Sequence, residues 1–227
     1  MMGLVSAPSS MSATPDLLAG PAHRSALVRR GLQLEVLTIA WNSAEAVIAI
    51  AAGLVAGSIA LVGFGLDSVI EVSSGAVLLW RLRADRDHTR RERAERLALR
   101  LVGVSFLALA AYVAADAAYT LWLRQAPEES YVGMALAVVS LVVMPLLARA
   151  KRRVAAQLES PALHADSQQT QICAYLSVIL LGGLALNAAL GWWWADPVAA
   201  LLMTPIIAGE GVEALRGKTC CDDAVCS

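Results

Sequence analysis

Gly57-Ser58-Ile59-Ala60-Leu61-Val62-Gly63-Phe64-Gly65-Leu66-Asp67-Ser68-Val69-Ile70-Glu71 sets two carboxylates into an otherwise apolar run that continues to Trp80. From Ser58 onward that run reaches the roughly 20 residues a helix needs to cross a bilayer. Four-residue spacing puts Asp67 and Glu71 on one helix face, one turn apart. An acid near mid-membrane costs about 2.5–3.5 kcal/mol on insertion scales unless a partner, a proton or an ion meets it. Two such acids on one face predict a cation site within a membrane helix, and hence transport rather than soluble chemistry.

Composition points the same way. The 227 residues are 58% hydrophobic, with a mean hydropathy of +0.61, where a soluble domain is about 45–50% apolar. Six apolar segments are readable, at about 34–55, 59–80, 97–123, 131–147, 162–190 and 197–215. Each is near spanning length, and outside a barrel only helices satisfy their own backbone in lipid. The expected fold is an all-α membrane protein, a bundle of six transmembrane helices over residues 31–216. Residues 1–30, rich in Ser, Ala and Pro at the start, are expected to be a disordered tail rather than a signal peptide. Residues 217–227 form a Cys-rich tail.

Basic residues collect on alternate connections. His23, Arg24, Arg29 and Arg30, the run from Arg81 to Arg91, the run Arg149-Ala150-Lys151-Arg152-Arg153, and Arg216 with Lys218 all fall on one side. The opposite connections hold Arg124 and no Lys. The positive-inside rule then makes both termini cytoplasmic, in a plasma (inner) membrane. With a net charge of -1 and its charges segregated into loops, the chain offers nothing to nucleic acid.

A faint internal repeat singles out more residues. Ser58, Ala60 and Leu61 recur as Ser160, Ala162 and Leu163; the same offset carries Asp67 to Gln169 and Glu71 to Cys173. The second and fifth segments thus place two ligand-capable side chains at equal depth in their own pattern. Gln169 offers a carbonyl oxygen and Cys173 a thiolate, the usual ligand of zinc-like metals. By themselves both also read as ordinary core residues, a small hydrophobe and an interhelical hydrogen-bonder. Together Asp67, Glu71, Gln169 and Cys173 make a set able to close a four-coordinate shell.

Asp116 and Glu45 are further acids within apolar segments. Each fits two readings, lining a water and proton path or bonding a neighbouring helix. Asp166, one turn before Gln169, flanks the cytoplasmic mouth. Asp196 precedes Pro197 and reads as a helix-start residue, and Trp192, Trp193 and Trp194 read as an interfacial anchor. Cys220, Cys221 and Cys226, with Asp222 and Asp223, form either a loose metal-collecting arm or unpaired thiols in a reducing compartment. No nucleophile–base pair and no Gly-rich phosphate loop stand out, so no enzyme activity, no ATP hydrolysis and no resident cofactor are expected.

The stretches around Asp67 and Glu71, Ala165-Asp166-Ser167-Gln168-Gln169-Thr170-Gln171-Ile172-Cys173, and Trp194-Ala195-Asp196-Pro197-Val198-Ala199-Ala200-Leu201 resemble the second, fifth and sixth helices of the cation diffusion facilitator (cation efflux) family. The resemblance covers about 34–216. It implies a proton-driven exporter of divalent metal ions, usually a homodimer, with its ligands on Asp67, Glu71, Gln169 and Cys173. Gln169 stands where the family commonly has His, Cys173 and Glu71 where it has Asp. The cytoplasmic domain that usually follows the sixth helix is not expected here. A thiolate beside carboxylates favours zinc or cadmium over magnesium or calcium. The alternatives are a membrane-embedded metal-binding or assembly subunit that moves nothing, and a thiol oxidoreductase built on the tail cysteines.

Overall fold

The computed structural model describes residues 21–83, 88–158 and 160–216. They form α1 (Pro21–Ala56), α2 (Ile59–Arg83), α3 (His88–Leu123), α4 (Tyr131–Leu158), α5 (Pro161–Leu190) and α6 (Ala195–Arg216), with no strand among the described residues. All six are long and apolar enough to cross a membrane, and the protein is an all-α membrane bundle.

Several helices outrun their apolar segments. The boundary drawn at residue 30 falls inside α1, which already begins at Pro21, a residue suited to the first helical position. The basic run at 149–153, read as a loop, is the continuation of α4. Arg, Lys, Ala, Gln and Leu are good helix formers, and nothing breaks the helix until Ser160-Pro161. Hydropathy marks where a helix enters lipid, whereas capping residues mark where it stops. The tail cysteines Cys220, Cys221 and Cys226 lie outside the described residues.

The caps explain the short connections. Ser160 is extended (φ -102, ψ 103) and its side chain accepts from the Leu163 amide, with Pro161 directly after it. Ser58 does the same for α2, its Oγ accepting from Leu61 N at 3.1 Å. The repeat read in the sequence is therefore in part a repeat of N-caps. Gly57 (φ +66) turns the chain between α1 and α2, and Gly191 (φ +62) ends α5 with its amide on Asn187 O. Asp196 stands in the first turn of α6, as its place before Pro197 implies, and it also reaches a second helix. Its carboxylate takes the Ser58 hydroxyl at 2.5 Å and Ala60 N at 3.4 Å, so Asp196 caps α2, a neighbouring helix.

In the bundle α1 packs against α2 and α4, α3 against α6, and α4 against α5, while α2 also touches α3, α5 and α6. Lipid gives no hydrophobic drive between helices, so close packing of small residues does that work. Gly103 and Gly211 bring α3 and α6 together: a Cβ on Gly103 would lie 2.8 Å from Gly211 O. The surface is inverted relative to a soluble protein. Val47, Leu54 and Trp122 are exposed, whereas Glu35, Asn42, Glu45, Asp67 and Glu71 are buried.

Candidate metal centre

Consecutive spans alternate in direction, so α2 and α5 run antiparallel. Asp67 stands eight residues into α2 and Cys173 twelve into α5. At 1.5 Å per residue these are about 12 Å and about 18 Å from opposite ends, the same level in a layer of about 30 Å. The repeat is thereby crossed. Asp67 falls level with Cys173, and Glu71 with Gln169, instead of each residue matching its own counterpart.

The side chains follow that geometry. One donor atom each from Asp67, Glu71 and Cys173 lies within 4.8 Å of the other two, and all three residues are buried. Glu71 and Gln169 border one small cleft, which Glu35, Thr38, Asn42 and Asp166 also line. Gln169 Nε2 has no hydrogen-bond partner. Donors bound to one tetrahedral zinc are separated by roughly 3.3–3.8 Å, given ligand distances of 2.0–2.3 Å. A contraction of about an ångström would therefore seat such an ion.

α1 supplies the supports. Asn42 Nδ2 donates to Glu71 Oε2 at 2.6 Å. Glu45 Oε2 accepts from Ser68 Oγ at 2.9 Å and lies 3.9 Å from Cys173 Sγ. Of the two acids left open by the sequence, Glu45 thus touches the cluster, whereas Asp116, half-buried on α3, stands outside it. Asp166 does border the cleft, but ion-paired to Lys151 Nζ at 2.5 Å. Three residues of this region escaped the sequence reading. Glu35 and Lys151 are fully buried, and Glu210 of α6 is an electrostatic neighbour of Asp67. A signal existed for Glu35: with Thr38, Asn42 and Glu45 it makes a polar stripe at helical spacing along α1.

The six-helix bundle turns acids, amides and a thiol inward and aliphatic side chains such as Val47 and Leu54 outward, and ionisable side chains inside a membrane bundle mark functional sites. The family model of the cation efflux transmembrane domain matches residues 36–218. The chain belongs to the cation efflux family. It is similar to a protein of Synechocystis sp. named as an uncharacterized transporter, 28% identical over 187 residues, which are 80% of this chain and 60% of that one. It is also similar to Transmembrane protein 163 of Xenopus laevis, 26% identical over 188 residues, 82% of this chain and 66% of the relative. The chain thus spans about 60–66% of the length of these relatives.

Proposed function

We propose that the protein is an efflux transporter for a divalent metal ion, with zinc or cadmium as the favoured cargo. One observation carries this reading: two carboxylates and a thiol, all buried, converge to within 4.8 Å inside spans of a cation efflux domain. Asp67, Glu71 and Cys173 are the proposed ligands, with Gln169 beside Glu71. Three potential negative charges around one point are costly in a medium of low dielectric, and a doubly charged ion offsets them. Sulfur among the donors selects a borderline or soft metal over magnesium or calcium.

The proposed mechanism is alternating access around this mid-membrane site. Metal ligands must be deprotonated, so metal and protons compete for the same groups. Metal arriving from the cytoplasm displaces protons, and protons entering from outside displace metal. Basic residues at one end of the bundle support cytoplasmic termini in a plasma (inner) membrane. The family relation supports a homodimer. The test is flux of Zn²⁺ or Cd²⁺ in proteoliposomes with a pH gradient. The wild-type chain is expected to move metal against protons. Asp67→Ala is expected to abolish flux while the protein still elutes as a folded, monodisperse species. Flux indifferent to that change rejects the site.

A further inference from the structure

Away from the acid–thiol cluster, a lysine is sealed inside the bundle. Lys151 of α4 is 0% exposed; its Nζ lies 2.9 Å from Glu35 Oε2 on α1 and 2.5 Å from Asp166 Oδ2 on α5. Its neighbours Arg149, Arg152 and Arg153 are exposed. A lysine near a helix end ordinarily snorkels toward water, and an ammonium is strongly hydrated. Lys151 turns inward because two carboxylates from two other helices replace that water.

Two acids around one ammonium leave an excess of negative charge. The acids also border the cleft that holds Glu71 and Gln169. In the wall of that cleft, Glu35 Oε1 and Asn42 Oδ1 have no hydrogen-bond partner, although each residue is only 1% exposed. Buried oxygens without donors require an explanation. A cation supplies one. Asp166 stands five residues into α5, nearer the basic end of the bundle than Gln169.

We propose that Glu35 and Asp166 form a second divalent-cation subsite, between the basic end of the bundle and Glu71, and that Lys151 fills it as a tethered surrogate cation. This deepens the reading of the chain as a metal carrier and rests on it for the cargo. An arriving ion exchanges with the ammonium at the two carboxylates, and Lys151 swings out to join the exposed arginines of its helix. The subsite offers oxygen only, from Glu35, Asp166 and the orphaned Asn42 Oδ1. The deeper site adds sulfur. An ion is therefore admitted by charge first and selected by softness second. When it moves on, the ammonium returns, so the two acids are not left unpaired in the bundle.

The experiment counts bound Cd²⁺ on the purified full chain in detergent, by equilibrium dialysis with metal analysis. At a Cd²⁺ concentration too low to displace the ammonium from wild type, Lys151→Ala is expected to bind one Cd²⁺ more per chain than wild type, and Glu35→Gln added to it is expected to remove that ion. At higher Cd²⁺ the wild-type ammonium gives way. A folded Lys151→Ala chain with an unchanged count overturns the proposal. Asp67→Ala combined with Lys151→Ala separates this proposal from the reading of the main site. If wild type binds no Cd²⁺ but the combined variant binds one, the main site falls and the subsite stands. Should loss of Lys151 prevent folding, amine labelling in an Asp67→Ala background decides the matter. Cd²⁺ is expected to raise the labelling of Lys151 severalfold by expelling it from between the acids. Labelling that Cd²⁺ leaves unchanged overturns the proposal.

Discussion

Asn42 on α1 donates its amide hydrogen to Glu71 on α2 across 2.6 Å, with both side chains buried. The α1 helix carries no proposed primary ligand, yet it aims one. Glu45, one turn further along α1, holds Ser68 and approaches Cys173. The centre is therefore supported from a third helix, in the manner of outer-shell groups around metal sites.

Loss of that support has a measurable consequence. Asn42→Ala is expected to weaken Zn²⁺ or Cd²⁺ binding about 10–100-fold, the range seen when outer-shell partners are removed. Isothermal titration of the purified chain measures it. Unchanged affinity means that Glu71 is held by the fold alone.

Cys173 tests the choice of metal. Cys173→Ser removes the one soft donor among the three clustered groups. The preference for Cd²⁺ over Mn²⁺ is expected to fall at least about tenfold, equivalent to about 1.4 kcal/mol. Cys173→Asp is expected to retain Zn²⁺ binding while losing the same preference. Competition dialysis with the metal pair reads both variants.

Asp196 is predicted to act on stability rather than on cargo. Asp196→Ala strands the buried Ser58 hydroxyl and the Ala60 amide, at about 1–3 kcal/mol for buried polar groups left unpaired. Asp196→Asn keeps an acceptor and is expected to lose less. Thermal unfolding in detergent ranks them, with wild type above Asn and Asn above Ala.

Two glycines of α6 are predicted to respond in opposite directions. A Cβ on Gly211 would meet Leu107 Cγ at 2.9 Å and Gly103 O at 3.0 Å, whereas one on Gly209 meets nothing within 4 Å. Gly211→Ala is expected to destabilise by about 1–3 kcal/mol through overpacking. Gly209→Ala is expected to stabilise by about 0.5–1 kcal/mol through helix propensity. The same unfolding assay separates them.

The limits of the sequence reading show at particular residues. Asp67 and Glu71 were legible because acids inside an apolar run break a strong pattern. Glu35 lay at the edge of its segment and Lys151 beyond the end of its own, where charged residues are ordinary. Their burial arises only because α4 continues past the apolar stretch and turns that face toward α1 and α5. Asp196 was read within its own helix because a cap spanning 138 positions of sequence has no local signature.

The sequence by itself determined an all-α membrane bundle, with six helices long and apolar enough to cross a membrane among the described residues, since apolar runs of that length satisfy their backbone in lipid as helices. It also named the acids of α2, because helical spacing alone puts them on one face. Only the tertiary structure decided which residues meet. Antiparallel packing crosses the repeat and sets Asp67 level with Cys173. α1 brings Asn42 and Glu45 against the site, and Lys151 closes on two acids from separate helices. Those are long-range relationships, fixed by how the helices pack and where they stop, and neither is written in any single segment.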